Sequence, residues 1–136
     1  MEKTLILVKP DAVKRGLQHR IHERFLDKGF SVVAYDYEFP PRKLVEEHYA
    51  EHKGKEFFNG LVDSLADKKV YKVVYERDDA VATARRLIGA TKPELQVPGT
   101  IRGDYALSLR ENSVHGSDSV ESAEREINIW FGDLNG

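Results

Sequence analysis

Hydrophobic positions along the chain change period several times, and each change marks an element. Thr4–Val8 is a short unbroken apolar run, the pattern of a central strand covered on both faces. Lys9-Pro10-Asp11 ends it, and Val13, Leu17, Ile21 and Phe25 then form a drifting helical stripe. Gly16 predicts a break or kink in that helix, and Gly29 predicts its stop. From Ser31 to Phe39 the pattern alternates, with Val33, Tyr35, Tyr37 and Phe39 on one side and Asp36 and Glu38 on the other. That is a strand, ended by Pro40-Pro41.

Two short helices follow, one with Leu44, Val45, His48, Tyr49 and His52 on a face, the next with Phe57, Phe58, Leu61, Val62 and Leu65. Val70–Tyr75 reads as a third strand. Asp78-Asp79 then predicts the cap of a helix with Ala80, Val81, Ala84, Leu87 and Ile88 inward, closed by Gly89. From Thr91 to about Asn112 no period survives, and Pro93, Pro98, Gly99 and Gly103 punctuate the stretch. A loop this long in a small domain is usually functional. Ser113–His115 is followed by a turn and cap at Gly116–Ser119. The last helix is expected to bury Val120, Ala123, Ile127, Trp130 and Phe131. The order β-α-β-α-α-β-α-loop-β-α predicts an α+β domain of the ferredoxin-like, split βαβ kind. A four-stranded antiparallel sheet would be covered by helices, with the long loop before the strand of His115. Residues 1–136 read as one domain.

Composition narrows the partners. With 21 basic and 23 acidic residues the net charge is −2, which removes a bulk attraction to nucleic acid or an anionic membrane. A small anion in a local basic pocket stays open. Without cysteine there is neither a disulfide framework nor a thiolate metal site. The N-terminus lacks the pattern of a signal peptide and no stretch is long and apolar enough for a membrane span, so a cytoplasmic protein is expected.

Candidate chemistry appears where polar residues interrupt apolar positions. Arg85 shares a helix face with Val81 and Ile88, so it must find a carboxylate or project into a pocket. Glu126 falls on the inner edge of the last helix, where a rim charge is the plain alternative. Arg102 follows a Pro98–Ile101 turn that could present its guanidinium to a phosphate. Thr91 and Asn112 lie in the same loop, and Lys9 stands at a strand end where ligands of open sheets commonly bind. His115 could attack phosphorus directly if another group fixed its tautomer, although a lone histidine in such a place is more often structural. His48–His52 formally matches H-x-x-E-H, but the helix needs His48 and Tyr49 for packing, so a zinc site is not expected. Neither a Walker A sequence nor G-x-G-x-x-G occurs, so phosphate binding would rest on side chains.

Taken together, Asn112–Ser119 (NSVHGSDS) resembles the active-site segment of nucleoside diphosphate kinases. Val8–Asp11, His48–His52, Phe57-Phe58, Pro98–Asp104 and Glu121–Glu126 resemble that family in order and spacing, from about Lys3 to Phe131. The resemblance implies transfer of the terminal phosphate of a nucleoside triphosphate to a diphosphate through phosphorylated His115. Glu126 would orient the ring, with Ser117 nearby. Phe57, Leu61 and Leu109 would sandwich the base, and Lys9 and Asn112 would bind the ribose. Tyr49, His52, Arg85, Thr91 and Arg102 would hold phosphates, with Tyr49 and Lys9 near the transferred group. Mg2+ would ride on the nucleotide phosphates, since no carboxylate cluster offers to cage it. ATP and other nucleoside di- and triphosphates are the implied partners, along with further copies of the chain, as a hexamer in preference to a tetramer. His19-Arg20, Ala12, Asp67–Lys69 and Ser113 depart from the family pattern, and bear on subunit contacts and local stability. Two other readings remain at this point: a nucleotide-binding scaffold without catalysis, and a ferredoxin-like regulatory or nucleic-acid-binding module.

Overall fold

β1 (Glu2–Val8) and β3 (Val70–Arg77) are apolar on both faces because they are the two inner strands of the sheet. The computed structural model describes residues 1–134. Its sheet has the order β2-β3-β1-β4, with β2 (Ser31–Glu38) and β4 (Val114–Gly116) on the edges and every pair antiparallel. This is the α+β arrangement the element order predicts.

Alternation along the inner strands divides the core. Ile6, Val8, Tyr71, Val73 and Tyr75 face α1 (Pro10–Lys14), α2 (Gln18–Asp27) and α5 (Ala80–Ile88). Leu5, Leu7, Val70 and Val74 face α3 (Arg42–His48), α4 (Phe58–Leu65) and α7 (Val120–Phe131). His115 pairs with Leu7 across the ladder, and so points toward the second layer. No helix among the described residues is long and apolar enough to cross a membrane.

The break expected at Gly16 parts the first helical stretch into α1 and α2, with φ +73° there. Other local expectations need correction. Asp79 does cap α5 by position, but in a left-handed conformation and without a side-chain hydrogen bond. Glu2 Oε1 takes the Val81 N–H instead, at 2.8 Å. The stretch without period holds a short helical turn, Pro93–Leu95, and α6 (Ile101–Tyr105). Thr100 Oγ1 caps α6 by accepting the Gly103 N–H. Val120, expected in the core, is 43% exposed because it opens α7 at the surface.

β2 does alternate, but its apolar side is uncovered. A register shift between Val32 and Ala34 bends it, and Tyr35 and neighbouring Phe39 are each 65% exposed. Periodicity shows that a strand has two faces; it does not show that either is covered.

Candidate active site

The site forms where β4, the inner face of α7 and the end of α3 meet. His115 Nε2 lies 2.9 Å from Glu126 Oε1, and Ser117 Oγ donates to the same oxygen at 2.8 Å. Leu5 N–H in turn donates to Ser117 Oγ at 3.3 Å, which fixes the hydroxyl as a relay from the sheet. Glu126 is not a rim charge: its side chain is 7% exposed, and that of His115 is 19% exposed. An ionised carboxylate can only accept, so His115 Nε2 carries the ring proton and Nδ1 keeps a free lone pair. The contact thus holds the imidazole in one tautomer, with its lone pair on Nδ1.

A second histidine backs the first. The His48 ring meets the His115 ring edge-on, with centroids 4.6 Å apart, and Trp130 Nε1–H donates to His48 Nδ1 at 3.0 Å. An indole nitrogen only donates, so the remaining proton of neutral His48 sits on Nε2. Burial first, and the neighbouring His115 next, hold the His48 pKa well below the usual imidazole value. It therefore stays uncharged beside His115.

His48, His115 and Glu126 each bring one potential metal-ligand atom within 4.8 Å of the others. The hydrogen bonds do not suit a metal. His48 has no free lone pair, and Glu126 already accepts from His115 and Ser117. The H-x-x-E-H residues also diverge: His48 turns inward, while the Glu51 side chain is 61% exposed and 3.6 Å from His52.

Cations gather beyond His115. Arg102, on the first turn of α6, is buried and donates to Gly89 O, Thr91 Oγ1 and Val114 O at 3.2, 2.9 and 2.9 Å. Burial, then Arg85, lowers its pKa to about 10. Among the described residues Arg85 meets no carboxylate; it is exposed on α5 and reaches the Gly116 carbonyl at 3.4 Å. Lys9, which precedes α1, is buried and has its pKa lowered to about 8 by burial and then by Arg102. Tyr49 is buried at the end of α3, and burial first, then Glu126, pushes its phenol well above the ordinary range.

Arg102 Nε, Asn112 Oδ1 and Ser113 Oγ are buried without a hydrogen-bond partner among the described residues. Asn112 Nδ2 donates to Leu109 O at 3.0 Å. His52 and Phe57 pack ring against ring at 5.3 Å. Phe57 is 45% and Leu109 57% exposed, while Leu61 packs in part on the core. The sequence reading missed the His48–Trp130 support and also Arg110, whose guanidinium lies on Gly60 of α4. The aromatic Trp130 four residues after Glu126 was the only signal for the first; nothing in the turn itself signalled the second.

These features define a class: a ferredoxin-like α+β domain whose edge strand presents a carboxylate-oriented imidazole beside buried cations. The chain matches the nucleoside diphosphate kinase family model over residues 2–135, and it belongs to that family. It is 48% identical over 134 residues to the nucleoside diphosphate kinase of an Exiguobacterium species, covering 98% of this chain and 96% of the relative. It is 52% identical over 130 residues to that of Schizosaccharomyces pombe, covering 96% and 86%. The crystal structure of the Encephalitozoon cuniculi nucleoside diphosphate kinase superposes with a TM-score of 0.94 at 44% identity, covering 98% of this chain and 90% of that one.

Proposed function

We propose that the chain is a nucleoside diphosphate kinase that passes the terminal phosphate of a nucleoside triphosphate to a diphosphate through His115. The observation that carries this is the short Glu126 contact to His115 Nε2, which leaves Nδ1 free to attack. Nδ1 bonds to the terminal phosphorus, the bond from phosphorus to the bridging oxygen breaks, and the diphosphate departs with that oxygen's electron pair. A second diphosphate then takes the phosphate back, so donor and acceptor use one site in turn. Glu126 stabilises the positive charge that develops on the ring, and Ser117 holds the carboxylate. Neutral His48 keeps a like charge away from the imidazole.

The remaining roles follow the same reading. Lys9, Tyr49, His52, Arg85, Thr91 and Arg102 hold phosphates, with Lys9 and Asn112 on the ribose and Phe57, Leu61 and Leu109 on the base. The partnerless Arg102 Nε and Asn112 Oδ1 are groups a polar ligand would satisfy. Apolar and stacking contacts suit any base, so purine and pyrimidine nucleotides should differ in kcat/KM by far less than ~10⁴-fold. The donor set around His115 is cationic apart from an occupied Glu126, which fits Mg2+ carried by the nucleotide rather than ligated by the chain. Bound that way, the metal would neutralise charge on the phosphate oxygens.

The reading extends to assembly and place: a cytoplasmic homo-oligomer, a hexamer in preference to a tetramer. The uncovered side of β2 and the loop residues Leu95 and Val97, each 59% exposed, support contact with further copies. Light scattering of the purified protein tests this, and a fully active monomer would refute it.

The test of the activity is intact mass after incubation with ATP and Mg2+. One phosphate should be gained, labile in acid and stable in alkali, and none by His115→Ala, which should still bind ADP. An acid-stable phosphoester, or no gain, would sink the assignment and leave the scaffold reading.

A further inference from the structure

Arg110 belongs to none of the roles above, yet it lies on the helix proposed to carry the base. A β-carbon added at Gly60 would fall 3.0 Å from both Cζ and Nη2 of Arg110, and closer still to Nη1. The bare α-carbon of Gly60 is thus a cradle for the guanidinium, on the same helix turn as Leu61. The turn that bears Arg110 is itself braced. Leu107 N–H donates to Glu111 O at 2.8 Å, Glu111 N–H to Ser108 Oγ at 3.0 Å, and Asn112 Nδ2 to Leu109 O at 3.0 Å. Arg110 therefore bridges two walls: the turn with Leu109 and Asn112, and α4 with Leu61.

The guanidinium also faces a shared space. Lys9, Asp11, Gly60, Ser64, Arg110 and Glu111 border a cavity of about 510 Å³. Its charge reaches Lys9 and Tyr49, lowering the pKa of the first and opposing the rise of the second. Asp63, on the same helix, is already taken by Arg42 at 2.7 Å. Among the described residues Arg110 is ion-paired with none of the acids bordering this cavity, and a planar donor group beside two buried residues of the site suits an electron-rich ligand edge.

We propose that Arg110 is a further nucleotide-binding residue, cradled by Gly60 so that its guanidinium contacts the nucleoside end of a bound nucleoside di- or triphosphate. The proposal rests on the nucleotide-binding reading above. The nucleoside end is indicated because Arg110 follows Leu109 in its turn and packs on Gly60 beside Leu61, whereas Arg102 is tied to Thr91 and the Val114 carbonyl and stands near Arg85. Loss of this contact weakens binding rather than phosphorus chemistry, so it raises KM and leaves kcat within about twofold.

Binding of ADP and of inorganic pyrophosphate to the full chain, with melting temperatures in parallel, tests the assignment. Arg110→Ala should weaken ADP about tenfold, the equivalent of one charge-assisted hydrogen bond. Pyrophosphate, which has no nucleoside, should change by less than about twofold. Gly60→Ala supplies a β-carbon that displaces the guanidinium, so it should weaken ADP in the same direction. Its melting temperature should hold or rise, since alanine favours the helix. Arg110→Lys should recover part of the affinity, keeping the charge without the fork. An ADP affinity within twofold of wild type in Arg110→Ala overturns the proposal. So does an equal loss for pyrophosphate, or a melting temperature in Gly60→Ala that falls along with the affinity. Wild-type protein that binds ADP but gains no phosphate from ATP would refute the transferase and leave this test intact.

Discussion

Two regions flank Val114, and they are built on opposite plans. On one side, His115, Glu126, Ser117, His48 and Trp130 form a closed set in which polar groups find partners within the chain. On the other, Lys9, Arg102, Asn112 and Ser113 are buried with unmet donors, unmet acceptors and cations that repel one another. The contrast separates two tasks. A nucleophile must have one tautomer and one orientation before substrate arrives, so its supports are internal. An anion-binding pocket does better unfinished, because groups already satisfied by the protein have less to give a ligand. Burying polar groups without partners destabilises the empty fold, and a polyphosphate would relieve that strain.

The closed set is broken most sharply at Glu126. Glu126→Gln keeps the size but removes the charge, and can offer the imidazole a donor where it needs an acceptor. Loss of one charge-assisted hydrogen bond worth roughly 1.5–3 kcal/mol should slow phosphorylation by ATP about 10- to 150-fold, if felt fully in the transition state. ADP affinity should barely move, because Glu126 faces the ring. Single-turnover phosphorylation with ADP binding in parallel separates the two. An unchanged rate would mean that the carboxylate does not govern the ring.

How much of this was legible in the sequence differs between the regions for a physical reason. Inner strands buried on both faces announce themselves as apolar runs, and glycines at φ +73° and +88° announce where α1 and α2 stop, so the fold was largely readable. Short-range spacing placed Glu126 and Trp130 on one helix. What sequence could not give was contact across the fold. Trp130 and His48 are 82 positions apart, and Glu2 reaches Val81 across 79. α6 is five residues long and holds Arg102, Gly103 and Asp104, too short and polar to establish a period. Arg110 was invisible because its cradle is an absence, the missing β-carbon of Gly60.

The unfinished region should be sharpened by pH. Lys9 titrates near pH 8 in the empty protein, below the ordinary lysine value of about 10.4. Between those values the folded chain holds fewer protons than the unfolded one, so the penalty of the buried cation is full below pH 8 and fades as pH rises. Nucleotide phosphates should restore the charge and raise the pKa. ADP affinity should therefore fall about tenfold between pH 7 and 9, as binding must first return the proton to Lys9. Titration calorimetry across that range, with Lys9→Met as the control that flattens the profile, measures it. A wild-type profile as flat as that of Lys9→Met would show that Lys9 meets no phosphate.

Ser113 gives the smallest effect and tests where the boundary between the regions lies. It has φ +73°, a conformation that L side chains rarely adopt, and its hydroxyl is buried without a partner among the described residues. Its carbonyl accepts the Lys9 N–H at 2.8 Å, and the next residue begins β4. The turn thus sets Lys9 beside the strand that carries His115. Ser113→Gly removes both the side-chain clash and the orphaned hydroxyl, against the extra freedom that glycine gives the unfolded chain. A strained residue costs of order 1–3 kcal/mol and glycine returns roughly 0.5–1 of that as entropy, so a net gain of about 1 kcal/mol is expected. Urea unfolding of the two proteins in the absence of nucleotide measures it. Phosphorylation by ATP should stay within about twofold, because the backbone that positions Lys9 and His115 is kept. If stability instead falls by a similar amount, the serine hydroxyl is satisfied in solution, and the unfinished region begins one residue further from the nucleophile.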